Sequence, residues 1–96
     1  MTKALLVLLA AAGLAGCSRP LPEPESAGGR LYAERCNICH RVFHPGTLTA
    51  AMWDFQVERM QGELVRRGFP PLSREQKQLV LDYLHRHAAG SPETQP

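Results

Sequence analysis

The sequence is poor in several things, and each shortage closes a class of function. It has only three cysteines in 96 residues, Cys17, Cys36 and Cys39. Two of them stand two residues apart, too close to staple distant parts of an exported domain. The formal charge is only +2, and clearing the leader that contains Lys3 would lower it to +1. Such near-balance lacks the clustered basic footprint of a nucleic-acid binder. No run is apolar for long enough to cross a bilayer as a helix. The longest, Ala4 to Ala15, falls well short of the roughly 20 residues required. No convincing strand pattern, internal repeat, nucleophile–base pair or carboxylate constellation is present, so nothing points to an enzyme.

What is there begins with that short run. Lys3 followed by a wholly apolar stretch has the form of an export signal. It ends in Leu14-Ala15-Gly16-Cys17, which resembles the lipobox of bacterial lipoproteins. The resemblance implies cleavage before Cys17, a diacylglyceryl thioether on its sulfur and an acylated new amino terminus. Ser18 stands where this class uses Asp for retention in the inner membrane. The expected location is therefore the periplasmic side of a bacterial membrane, with a lean towards the outer one.

The expected domains are a signal peptide over 1–16, a lipidated Cys with a Pro-rich linker over 17–27, a folded domain over 28–90 and a disordered tail over 91–96. Prolines at 20, 22 and 24 favour an extended stalk, with a reach of up to roughly 30 Å at about 3.1 Å per residue. The folded part is expected to be all-α, with three helices. The first starts near Gly29 and runs into the Cys pair. The second spans about Thr49 to Arg67, with Thr49 as N-cap and Gly68 past its end. The third spans about Ser73 to His87, opened by a Ser73/Gln76 capping box. Phe69-Pro70-Pro71-Leu72 must turn between them. Roughly 60 residues in three short helices make a thin core, and domains of this size usually need a staple.

Cys36-Asn37-Ile38-Cys39-His40 supplies a candidate. In a Cys-x-x-Cys-His sequence the two thiols add across haem vinyl groups and the adjacent His ligates iron. A thioredoxin-like redox pair would want a βαβ context. A zinc site would have to crowd Cys36, Cys39, His40 and His44 into nine residues rather than use two separated pairs. Haem c, a single group held by two thioethers, is the expected cofactor.

The opposite face of such an iron has several candidate ligands. With Trp53 at zero and about 100° per residue, Val57, Met60 and Leu64 all fall within about 40° of it. Met60 is thus in mid-stripe on the inward face, and Met52 lies about 100° away. His44 follows His40 too closely to reach the far side, and His85 points off the stripe of Leu79, Val80 and Tyr83. His87 lies nearer that stripe, so Met60, His87 and Met52 all remain open.

These residues together resemble the monohaem class I cytochrome c family. The likeness runs from Gly29-Arg30-Leu31-Tyr32 through the Cys-x-x-Cys-His and Pro45, then Trp53-x-x-x-Val57-x-x-Met60, Pro71-Leu72-Ser73-x-Glu75 and Tyr83-Leu84. It implies a small cytochrome c-like fold of three main helices around one covalent haem, with the first and last helices crossing beside it. It implies Met60 as distal ligand, a Pro45 carbonyl that accepts from His40, and Tyr32 helping to shape the pocket. The implied function is a lipid-anchored periplasmic carrier of single electrons between redox partner proteins. Two further readings are a haem-based sensor with an open or displaceable ligand, and a docked electron-transfer subunit of a periplasmic dehydrogenase. Six arginines or lysines between Arg59 and Arg86 would suit an acidic partner, although solvated helix faces also explain them.

Overall fold

The computed structural model describes residues 19–38 and 41–92. The expected lipidation site Cys17, and Cys39 and His40 of the haem motif, lie outside the described residues. Among the described residues three helices form in chain order: α1 (Ala27–Arg35), α2 (Ala50–Arg66) and α3 (Arg74–Arg86), with a 3₁₀ turn at Pro45–Thr47. Their ends are set by local chemistry. Ser26 accepts the Gly29 N–H and starts α1, and Thr49 accepts from Met52 and starts α2. Ser73 and Gln76 satisfy each other's backbone N–H groups in a full capping box at the start of α3. Gly68 ends α2 at φ +82°. The N–H groups of Gly68 and Phe69 return to the carbonyls of Val65 and Leu64, a Schellman closure that needs this left-handed residue.

α1 and α3 meet where α1 has no side chain. A Cβ at Gly28 would fall 2.5 Å from the Leu79 carbonyl oxygen and 2.6 Å from the Tyr83 Cβ, so glycine permits the crossing. The core is one ring from each helix. Tyr32 of α1 meets Trp53 of α2 edge-on at 5.8 Å and Tyr83 of α3 at 5.9 Å. Val57, Val80, Leu84, Leu72 and Cys36 complete it. A parallel bridge, Thr49 to Ala89, ties the start of α2 to the end of α3. Among the described residues no helix is long and apolar enough to cross a membrane.

The Pro-rich segment departs from the expected extended stalk. Leu21 packs on the core, and the Pro22 carbonyl accepts the Tyr83 hydroxyl at 2.8 Å. Glu23 reaches Arg86 at 3.3 Å and His87 at 3.5 Å. Glu23 itself takes φ +41°, which turns the chain so that Ser26 can cap α1. Proline fixes φ but leaves a carbonyl free to accept, so a Pro-rich stretch docks when a buried donor such as Tyr83 faces it. From Leu21 onward this segment is a strap laid on α3.

Candidate haem site

The end of α1 and one face of α2 enclose a cleft of about 270 Å³, lined by Arg35, Cys36, Arg59, Met60, Glu63, Leu64 and Arg67. Cys36 is the C-cap of α1, its N–H bonded to the Tyr32 carbonyl, which turns the chain at the first cysteine of the motif. Met60 and Leu64 are one turn apart, so both reach the same cleft. Arg59, Glu63 and Arg67 follow the same four-residue step along its edge. The floor is therefore sulfur and hydrocarbon, and the rim is mainly guanidinium. The Glu63 carboxyl is held below its ordinary value by its hydrogen bond to Arg66 and then by that residue's charge. It pairs with Arg66 at 2.5 Å and with Arg67 at 3.7 Å.

Behind the cleft, bonds from the core fix the chain that leaves the motif. The Tyr32 hydroxyl donates to the Phe43 carbonyl at 2.5 Å. Burial first, then the nearby Cys36 sulfur, pushes the Tyr32 hydroxyl far up, so it stays a donor. The Trp53 indole N–H donates to the buried Pro45 carbonyl at 2.7 Å. A carbonyl oxygen has two lone pairs, so this bond leaves one for a second donor. His44 Nδ1 accepts the Gly46 N–H at 2.9 Å and starts the 3₁₀ turn. On the far flank, the Gln61 amide exchanges two hydrogen bonds with the backbone of Leu72, at 2.8 and 3.2 Å, and Arg35 donates to the Pro70 carbonyl at 2.6 Å. These bonds clamp the double-proline turn between α1 and α2.

The structure separates the other ligand candidates. Met52 is 51 % exposed and lies in a different groove with Leu48, Phe55 and Gln56. His85 binds Asp54 at 2.6 Å on the surface. His87 is buried, but against the Tyr83 ring at 5.2 Å and beside Glu23, and it does not line the cleft. Met60 and Cys36 are the sequence-derived candidates that share it. The arginine rim and the Gln61 clamp were not foreseen. The four-residue spacing of Arg59, Glu63 and Arg67 was the available signal, but it does not tell which face is covered.

Residue chemistry here suits a haem: a thiol and a thioether on an apolar floor, with cations at the mouth. A family model described as dihaem cytochrome c matches residues 32–96, which takes in all of this constellation. The chain belongs to the dihaem cytochrome c family. No curated protein and no solved structure matches it. Membership in this family supports the expected c-type cytochrome and the small all-α fold, and it suggests haem-based electron transfer. It also brings a correction. The expected single haem c, and with it the monohaem class I likeness, gives way to a dihaem family, which points to two haems. The reason for the miss is concrete. The 96 residues contain one Cys-x-x-Cys-His, and counting that motif registers only haems attached through it.

Proposed function

We propose that this dihaem cytochrome c family member is an electron carrier anchored by lipid at Cys17 on the periplasmic side of a bacterial membrane. In this reading Cys36 and Cys39 would hold haem by thioethers, and His40 and the Met60 thioether would ligate its iron. When bound, each haem would supply a reversible one-electron couple, with His/Met ligation favouring a high potential. The chain's own residues keep that site stiff. Tyr32 and Trp53 anchor the segment after the motif at Phe43 and Pro45, and the free lone pair of Pro45 suits the second ring N–H of His40. A site closed by Met60 has no open position for a substrate, which supports a carrier rather than an enzyme. Redox partner proteins would supply and take the electron. The acyl chains would hold the domain at the membrane, each buried CH₂ contributing about 0.8 kcal/mol.

The observation that carries this reading is the shared cleft of Cys36 and Met60. The test is the optical spectrum of the matured protein, ferric and ferrous, with and without carbon monoxide. A ferric near-infrared Met–iron band that Met60→Ala abolishes and Met52→Ala retains supports the assignment. Absence of that band, together with rapid carbon monoxide binding, overturns the carrier in favour of a ligand-binding sensor.

A further inference from the structure

Every acidic side chain of α2 is already committed. Asp54 binds His85, Glu58 binds Lys77, and Glu63 binds Arg66 and Arg67. Among the described residues Arg59 is left with no acidic partner, although Glu63 stands at the i+4 position where helical pairs usually form. Yet Arg59 is not turned to open solvent alone, because it lines the cleft beside Met60. Arg35 and Arg67 line it too, and Glu63 is the one acid. Three guanidiniums against one carboxylate leave an excess of two positive charges at the mouth of an apolar cleft. A haem presents two propionate carboxylates at its edge. Guanidinium is the side chain best matched to a carboxylate, through paired parallel N–H donors.

We propose that Arg59 is the propionate-binding residue of this cleft, with Arg35 and Arg67 completing the cationic mouth. The proposal rests on the reading that the cleft takes haem. Arg59 then has two consequences for the couple. It orients the haem edge at the cleft mouth, and it offsets propionate charge that would otherwise favour ferric iron. The neutral variant Arg59→Gln therefore lowers the midpoint potential.

The test compares Arg59→Gln, Arg59→Lys and Arg74→Gln in the haem-bearing protein. Arg74 opens α3 and does not line the cleft, so it controls for surface charge in general. Arg59→Gln is expected to move the propionate-bending bands in the resonance Raman spectrum. It is also expected to lower the potential by the equivalent of about a two- to fivefold change in the ferric–ferrous equilibrium, the range of an exposed ion pair. Arg59→Lys should keep part of both effects, and Arg74→Gln should show neither. A normal c-type spectrum with unmoved propionate bands in Arg59→Gln overturns this inference and leaves the functional reading standing. So does a potential shift of equal size in Arg74→Gln. Failure of the unmodified protein to carry covalent haem overturns both.

Discussion

Trp53 shows how much one side chain can hold. Its ring is 2 % exposed and meets Tyr32 edge-on, while its N–H ends on the Pro45 carbonyl. Trp53→Phe keeps a ring but removes the hydrogen bond to the buried Pro45 carbonyl, a loss that typically costs about 0.5–1.5 kcal/mol. Urea unfolding of the haem-bearing protein, followed by far-ultraviolet circular dichroism, should show that loss. His44 gives a pH prediction. Burial first, then Arg19 and His87, holds its pKa below the ordinary 6.5. The folded state therefore keeps His44 neutral, as its acceptor role towards Gly46 requires, while the unfolded chain takes up a proton sooner. Stability from this residue is full above about pH 6.5 and is lost as pH falls through the lower folded value. His44→Asn preserves an N-cap acceptor and should flatten that part of the stability–pH curve. Part of the site was legible at this scale. The 100° step alone orders Met60 inward and Met52 outward, because residues on one helix need no knowledge of the rest of the fold. The partners of Tyr32 and Gln61 were not legible, since each reaches 11 residues along the chain to a backbone atom.

Among the elements, boundaries were the readable part, because caps are written locally. Thr49, Gly68 and the Ser73/Gln76 box each declare a helix end through groups within a few residues. The start of α1 was misplaced by two residues, to Gly29 rather than Ala27. Ser26 caps it only because Glu23 adopts a left-handed turn that the prolines around it do not advertise. The α1–α3 crossing makes the sharpest prediction. Gly28→Ala sets a methyl group against the Leu79 backbone, which cannot swing aside as a side chain would. The helices must part, with a cost of about 1–3 kcal/mol and a lower unfolding midpoint. Ser73→Ala, which removes only the capping acceptor, should cost about 1 kcal/mol and leave the optical spectrum unchanged. Comparing the two variants separates helix stability from helix packing.

At the scale of the whole molecule the sequence reading was least complete. An all-α class follows from helix periodicity and the absence of strand patterns, and both survive folding. The number of haems does not follow from one attachment motif, as the dihaem family match demonstrates. Contacts across the chain were equally hidden: Tyr83 finds Pro22 at a separation of 61 residues, and Arg86 finds Glu23 at 63. Those two contacts decide what the Pro-rich segment is. On the proposed lipid anchor, the expected spacer of roughly 30 Å shrinks to the three residues between Cys17 and Leu21, about 10 Å when extended. Tyr83→Phe combined with Glu23→Ala should release the strap and raise protease cleavage between Pro20 and Ser26 several-fold, while the haem spectrum holds. The intact protein would then work on a short leash, sampling a thin layer against the lipid surface. Partners embedded in that membrane would meet it at high local concentration, and those deeper in the compartment would have to come to it.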